Sequence, residues 1–205
     1  MRTARKLLIT AAAAVTALAL AGCADTSMTG MDHGGDPSSN PSTDSNTASA
    51  AGANGADIAF ATMMIPHHEQ AVEMSELLLA EPELGEPVRA LAEGVMAAQQ
   101  PEIDQLRDWL AEWGQEEVDM GGMDHGDGMM SEDDLAVLEA AAGAEAERLY
   151  LEQMIVHHEG AVAMAEAEIA DGAHPDAVAM AERIVATQSD EIALMQELLG
   201  VSPRG

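Results

Sequence analysis

The sequence contains little cysteine, few basic residues and few aromatic side chains. Its 205 residues include one Cys, eight Lys and Arg together, two Trp, one Tyr and one Phe. A lone cysteine excludes an intrachain disulfide. The 37 Asp and Glu residues produce a formal net charge of −29, and a surface of that sign repels nucleic acid and anionic lipid while attracting cations. Nucleic-acid binding is therefore not expected.

Residues 1–22 resemble a bacterial lipoprotein signal peptide. Basic residues lie within the first six positions, an apolar run follows over residues 7–21, and the only cysteine, Cys23, directly follows a small-residue cleavage site. We expect a lipid on Cys23 to anchor an extracytoplasmic protein to the cell membrane, since no later apolar run approaches the length of a membrane span. The alternative is an ordinary secretory signal with an incidental cysteine. Cleavage leaves five Arg against 37 acidic residues, a formal charge of −32 (5 − 37).

Residues 23–56 have the composition of a disordered tether. Ser, Thr, Gly, Asn, Pro and Asp dominate, and large apolar residues are nearly absent. Such a segment cannot bury enough surface to offset its ordering entropy. We therefore expect the folded domain to occupy residues 57–200.

The domain contains an internal repeat. Residues 60–74 read FATMMIPHHEQAVEM and residues 150–164 read YLEQMIVHHEGAVAM, which share Met-Ile, His-His-Glu and Ala-Val-x-Met at an offset of 90 residues (157 − 67). A second pair, residues 92–103 and 181–192, shares Ala-Glu, Gln and Glu-Ile at nearly the same offset. The domain is thus predicted to be a duplicated helical hairpin.

Core residues recur at alternating steps of three and four in each half of both repeats, the spacing typical of amphipathic helices. Four such stripes predict an all-α antiparallel four-helix bundle. Gly and Pro at residues 85–87 and 172–175 separate the helices of each hairpin. Residues 114–134, rich in Gly, Met and Asp, form the crossover, although Ser131 could cap an earlier start of the third helix. The stripes contain Phe60, Met64, His67, Ala71, Met74 and Leu78; Val88, Ala92, Val95, Gln99, Glu102, Leu106, Trp109 and Trp113; Tyr150, Met154, His157, Ala161 and Met164; and Ala177, Ala181, Ile184, Gln188, Glu191, Met195 and Leu198.

Polar residues occupy several stripe positions that a bundle core normally fills with aliphatic side chains. Burial of an amide or a carboxylate is costly unless the group has a partner. Either Gln and Glu satisfy the histidines of the facing helices in a hydrogen-bonded network, or the whole set holds a ligand. Both interpretations stay open at this point. The residues are Gln99, Glu102, Gln188 and Glu191, with His67 and His157 as the expected partners.

A Met-x-x-His-His unit occurs in both repeats and is the stronger indication of a metal site. Residues three and four apart share a helix face, so the methionine can lie beside both histidines. Thioether together with imidazole suits copper, above all Cu(I); the alternative for each methionine is core packing. Because adjacent histidines point about 100° apart, one helix cannot aim both rings at one metal from the same side. The residues are Met64, His67 and His68, and Met154, His157 and His158.

A second Met/His set lies outside the predicted helices. The sequence Gly-Met-Asp-His-Gly occurs at residues 30–34 and again at residues 122–126, each time with another Met three residues before its Met. A methionine in a Gly/Asp-rich segment has no core to fill, so we expect mobile arms that capture soft metal ions. Compositional drift is the alternative. The candidate ligands in the crossover are Met120, Met123, His125, Met129 and Met130.

These motifs resemble the bacterial domain of unknown function family 305, a ferritin-like four-helix domain. The resemblance covers about residues 57–200 and rests on MMIPHHEQAVEM, MIVHHEGAVAM and the segment Ala-x-x-[Ile/Val]-x-x-x-Gln-x-x-Glu-Ile that follows each. Members include periplasmic or secreted copper-binding proteins of the CopM type, so the resemblance implies copper or silver binding and metal resistance through the two Met-His-His sets. Val156 in place of the Pro66 of the first repeat implies unequal geometry in the two halves.

We therefore predict an extracytoplasmic lipoprotein that binds copper for buffering, trafficking or resistance, with Cu(I) preferred to Cu(II) or Ag(I), and that is not an enzyme. Its expected partners are the metal ion and, through Cys23, the membrane. A ferritin-like oxidase is a second hypothesis, but that class uses Glu on two helices and Glu-x-x-His on the other two. This chain has His on two helices and Gln-x-x-Glu on the others. The third hypothesis is a metal-free interaction module whose buried polar residues only determine the register of the bundle.

Overall fold

The computed structural model describes residues 52–115 and 128–200, and within these ranges all regular structure is α-helical. The helices are α1 (Gly55–Leu79), α2 (Glu86–Glu112), α3 (Glu132–Ala140), α4 (Ala144–Asp171) and α5 (Pro175–Leu198). The prediction of an all-α bundle is confirmed, with α1–α2 and α4–α5 as its two hairpins. Among these helices, none combines the length and the apolar character that a membrane span requires.

The two hairpins pack against each other mainly through α1 and α4, which run antiparallel. At one end, the side-chain N–H of Asn54, before α1, donates to the carbonyl oxygen of Asp171, the last residue of α4, at 2.8 Å. Toward the other end, the hydroxyl groups of Ser75 and Tyr150 lie 3.0 Å apart. The sequence repeat therefore becomes a pseudo-twofold relation between the hairpins.

Each hairpin caps the second helix of the other hairpin with an acidic side chain. Glu147, in the first turn of α4, accepts a hydrogen bond from the backbone N–H of Gly85, the N-cap of α2. Asp57, in the first turn of α1, accepts from the backbone N–H of His174, the N-cap of α5, at 2.8 Å. Asp57 and Glu147 are related by the 90-residue offset (147 − 57). The predicted helix boundaries at residues 85–87 and 172–175 are confirmed.

The third predicted helix is divided into two. Ser131 accepts a hydrogen bond from the backbone N–H of Asp134 and caps α3, but the chain is then extended at Ala141. Gly143 has φ 55°, a left-handed conformation that glycine adopts readily. The expected cap at Ser131 is confirmed, but it starts a separate short helix, because this break turns the chain before α4 begins.

The core consists of two apolar clusters with a layer of polar side chains between them. Phe60, Met64 and Ile184 belong to the first cluster, and Tyr150 and Met154 belong to the second. All of the predicted stripe residues are buried except three that are partly exposed, Glu102, Glu191 and Leu198. The periodicity thus identified the inward faces of all four long helices.

Helix α3 and the residues before it cover the second cluster on the outer side of α1 and α4. Leu138 is buried in the cluster, and Leu135 packs against it. The side-chain amide of Gln70 bonds the backbone N–H and carbonyl of Met130 at 2.7 and 2.9 Å, and Met130 is itself buried in the cluster. The expectation that a crossover methionine has no core to fill is wrong for Met130, because the chain returns to the bundle before α3 begins.

A buried acidic pair lies where α1 begins and α4 ends. The Asp57 carboxylate accepts hydrogen bonds from the backbone N–H groups of Ala173 and His174. Burial alone would raise the pKa of Asp57, but its hydrogen bonds outweigh this and hold the pKa below its usual value. Glu168 is 1% exposed; burial and, after it, the neighbouring Asp57 raise the pKa of Glu168 to about 8. The first repeat has Leu78 at the corresponding position.

Glu168→Gln should remove a pH dependence of stability. The folded-state pKa of Glu168 lies well above its ordinary value of 4.5, so the folded protein holds a proton that the unfolded chain releases. The stability that results is complete below the unfolded pKa and is lost as the pH rises through the folded pKa. The melting temperature of the wild-type protein should therefore fall between about pH 4.5 and pH 8, and that of the variant should fall less.

The matched control is Glu166→Gln, an exposed position on the same helix. This control should melt like the wild type at every pH. Identical pH profiles for the Glu168 variant and the wild type would contradict a protonated Glu168 in the folded protein.

Candidate metal centre

Four histidines form a buried layer between the two apolar clusters. His67 and His68 come from α1, His157 and His158 come from α4, and each is at most 1% exposed. The antiparallel packing of α1 on α4 brings the two pairs to the same level of the bundle. Because neighbouring residues on a helix point about 100° apart, the two histidines of each pair face different helices.

His68 and His158 are each bonded by a glutamate from the second helix of their own hairpin. Nε2 of His68 lies 2.8 Å from a carboxyl oxygen of Glu102 on α2, and Nε2 of His158 lies 2.8 Å from one of Glu191 on α5. The glutamate side chains are 22% and 17% exposed, so each carboxyl group reaches inward from the edge of the bundle. The equal distances show that the pseudo-twofold relation extends to this layer.

His67 and His157 face each other across the α1–α4 interface. Their ring centroids are 3.8 Å apart, and the ring planes are inclined by 40°. The expectation that these two rings are the partners of Glu102 and Glu191 is wrong. Those glutamates bond His68 and His158, the second histidine of each pair.

His157 is a neutral imidazole near neutral pH. Burial lowers the pKa of His157 well below its usual value, and the positive charge that His67, His158 and His68 can carry lowers it further. A neutral imidazole has one nitrogen with a free lone pair, which is the form that binds metals.

Several buried polar atoms of this layer have no hydrogen-bond partner within the described ranges. They include Nδ1 of His68, Nδ1 of His158, both amide atoms of Gln99 and Oε1 of Gln188. Such atoms are uncommon in folded proteins, and each costs roughly 1–3 kcal/mol. Their concentration at one level, with nitrogen and oxygen lone pairs among them, fits a site that accepts a cation.

Met64 and Met154 lie one helical turn before the paired histidines and are both 0% exposed. Met64 packs in the first apolar cluster, and Met154 packs in the second. The two thioethers therefore belong to opposite sides of the histidine layer. Core packing accounts for their burial, and their positions next to the histidines also suit soft ligands.

No group of three His, Cys, Asp or Glu side chains in residues 52–115 and 128–200 is arranged to hold a metal ion. Nε2 of His68 and Nε2 of His158 are each engaged by a glutamate. A site with three or more ligands therefore requires a thioether or an amide of the layer, or the rotation of a histidine ring.

The crossover ligands predicted from the sequence are only partly described by the structure. Met120, Met123 and His125 lie outside the described residues, as does the lipidation site Cys23. Met129 is half-buried. Whether these methionines bind metal stays a prediction.

The sequence analysis missed Glu168, although a comparison of the two repeats could have identified it. An alignment of the two repeats places this acid opposite Leu78. A charged residue in place of a buried leucine of the other repeat indicates a position where the two halves differ in environment.

The fold and the layer together define a class of duplicated four-helix domains with paired histidines and glutamates at the centre. The chain belongs to the family described as Domain of unknown function (DUF305), which matches residues 57–199. The resemblance stated from the sequence motifs is confirmed.

Solved structures share this fold over most of their length. A DUF305 fragment from Deinococcus radiodurans is 33% identical at a TM-score of 0.67, with 73% of this chain and 98% of that chain covered. A DUF305 protein from Streptomyces coelicolor is 31% identical at a TM-score of 0.66, with 73% of this chain and 97% of that chain covered. CopM in its Cu(II)-bound form is 32% identical at a TM-score of 0.62, with 69% of this chain and 94% of that chain covered. None of the curated proteins compared with the chain matches it significantly.

A double-mutant cycle on His68 and Glu102 should measure a favourable coupling in metal-free protein. His68→Phe, Glu102→Leu and the double variant are unfolded with urea in the presence of a chelator. Because the bond is 2.8 Å long and its histidine is fully buried, we expect a coupling of about 1 kcal/mol. The equivalent cycle on His158 and Glu191 should yield a similar value.

The exposed ion pair between Arg107 and Glu69 is the matched control for this cycle, with side chains 40% and 47% exposed. Its coupling should be smaller because water screens exposed charges. A His68–Glu102 coupling no larger than this control would show that the buried bond does not stabilise the apo fold.

Proposed function

We propose that the protein binds copper as its cargo in this histidine layer, outside the cytoplasm, and serves copper buffering, trafficking or resistance. One observation carries the proposal. In each repeat, a buried histidine has Nε2 bonded to a glutamate, while its Nδ1 lacks a hydrogen-bond partner among the residues that the structure describes. A carboxyl group on one ring nitrogen selects the tautomer and orients the other nitrogen, as in most histidine metal sites.

Nδ1 of His68 and Nδ1 of His158 are the proposed nitrogen ligands. With a glutamate oxygen as acceptor, Nε2 carries the hydrogen, so Nδ1 has the free lone pair. Glu102 and Glu191 are then residues that orient the histidines rather than metal ligands. The neutral ring of His157 supplies a further nitrogen at the same level.

Met64 and Met154 supply the soft component of the site. Thioethers favour Cu(I) and Ag(I), whereas Zn(II) is usually bound by thiolate, imidazole or carboxylate. The amide oxygens of Gln99 and Gln188 are harder donors that suit Cu(II). This mixture of soft and hard donors supports copper over zinc or magnesium.

Similarity to CopM supports the choice of metal, because structures of that protein contain Cu(I), Cu(II) or Ag. The signal-like residues 1–22 support an extracytoplasmic location, with a lipid on Cys23 as the proposed anchor. We propose binding rather than turnover, because the layer lacks the Glu-x-x-His pattern of ferritin-like oxidases. Oxygen consumption by the copper-loaded or iron-loaded protein is the measurement that tests this last point.

Replacing both Met64 and Met154 by Leu should lower the affinity for Cu(I) and leave the fold intact. Leucine preserves apolarity and approximate volume, so the free energy of unfolding should change by less than about 1.5 kcal/mol. Affinity is measured by anaerobic titration against a competing Cu(I) chelator, and Zn(II) binding is measured in parallel. The wild-type domain should bind Cu(I) far more tightly than Zn(II).

Met74 and Met164 are the matched control, since they are buried on the same two helices, two turns beyond the histidines. Their replacement by Leu should leave Cu(I) affinity unchanged. If the Met64/Met154 variant binds Cu(I) as tightly as this control, the helical thioethers are not ligands.

Replacing Met120, Met123 and His125 by Ser should lower the number of Cu(I) ions bound per protein. The affinity of the bundle site should not change, because Met64, Met154 and the histidines are untouched. Met130 is left in place because it belongs to the core. Copper is counted by anaerobic titration, and an unchanged stoichiometry would show that the crossover Met/His sequence does not collect the metal.

A further inference from the structure

An apolar groove lies open on the outer surface of the bundle, where α1 begins and α4 ends. It has a volume of about 330 Å³. Buried Phe60 and Met164 line it, together with the exposed Met63 and alanines of both helices. The groove also reaches the buried side chain of Glu168.

The equivalent groove in the other half of the bundle is occupied by α3. Tyr150 and Met74 correspond to Phe60 and Met164 at the 90-residue offset. Both pack in the cluster that contains Leu138 of α3. The pseudo-twofold relation therefore identifies two related grooves, one covered by a short amphipathic helix and one open.

Two substitutions between the repeats create the space in the open groove. Leu77 and Leu149 pack against the cluster beneath α3. The corresponding residues of the open groove are Ala167 and Ala59. Removal of two leucine side chains leaves room for apolar side chains supplied by an occupant.

The chain does not contain a matching segment in the first repeat. In the second repeat, residues 131–140 include α3 and precede α4. The residues at the 90-residue offset in the first repeat are 41–50, which precede α1. They contain no Leu, Ile, Val, Met or aromatic residue. By its composition this segment cannot supply the leucines with which α3 fills its groove, so residues 41–50 do not provide an equivalent occupant.

The charge of the groove and of the whole chain selects the type of partner. Asp171, an exposed acid, lines one end of the groove. A second copy of this chain is disfavoured because its formal net charge is −29, so two copies repel each other. A basic partner is attracted instead.

We propose that this groove binds a basic amphipathic helix of a partner protein. Apolar residues spaced three and four apart enter between α1 and α4, and a Lys or Arg meets the exposed carboxylate of Asp171 at one end of the groove. Helix-in-groove recognition of this kind depends on a few apolar anchors at one helix face. The site is separate from the histidine layer and does not depend on copper binding.

The test uses two synthetic helical peptides about four turns long. One has Leu at steps of three and four, as Leu135 and Leu138 are spaced in α3, and Lys at the other positions. The second has Glu in place of Lys. Binding to fluorescein-labelled peptide is measured by anisotropy, in chelator and at physiological salt. We expect the Leu/Lys peptide to bind the wild-type protein and the Leu/Glu peptide not to bind.

The variant Ala59→Leu/Ala167→Leu restores the leucines of the covered groove and should weaken binding of the Leu/Lys peptide at least about tenfold. Ala97→Leu, an exposed position on α2, is the matched control and should bind like the wild type. Circular dichroism melts check the folding of each variant, and the single variant Ala59→Leu is used if the double variant unfolds.

Two results would overturn the proposal. Equal binding of the Leu/Lys peptide to the wild type and to the filled variant would mean that it binds the acidic surface without using the groove. A wild-type dimer in sedimentation equilibrium that the filled variant does not form would identify a second copy as the occupant.

Discussion

The structure depends on the need to satisfy four histidines inside an apolar core. Bonds to Glu102 and Glu191 connect α1 with α2 and α4 with α5, and contact between His67 and His157 connects α1 with α4. One layer therefore ties together all four long helices. Any slip of one helix against another would leave a buried ring or carboxyl group without its partner, so the layer determines the register of the bundle.

The same layer explains how a stable fold and a metal site can use the same residues. A fully satisfied polar network would stabilise the apo protein and leave nothing to bind an ion. Here Nε2 of His68 and of His158 is bonded, while Nδ1 of each ring and the amide of Gln99 have no hydrogen-bond partner in the part of the chain that the structure describes. The glutamates hold the rings in place before an ion arrives, which lowers the cost of ordering them on binding. The two repeats share this arrangement but differ at the surface, where, among the described residues, a helix covers only one of the two grooves.

Much of the fold and part of the site could be predicted because they follow from one helix at a time. The spacing of Met64, His67 and Ala71 determines which face of α1 is buried, whatever that face meets. The partner of Glu102 could not be predicted in this way. His67 and His68 are adjacent, and a small rotation of α1 about its axis decides which ring reaches α2. The prediction chose the wrong one.

The amino-acid sequence by itself determined the duplicated hairpins, their boundaries, the buried faces and the presence of paired histidines near methionines, because these follow from periodicity and from Gly and Pro positions. Only the tertiary structure decided which histidine meets which glutamate, that Met130 joins the core, and that α3 covers one of two related grooves. The physical reason is that these pairings depend on how helices cross and rotate against one another, through contacts between residues far apart in the chain.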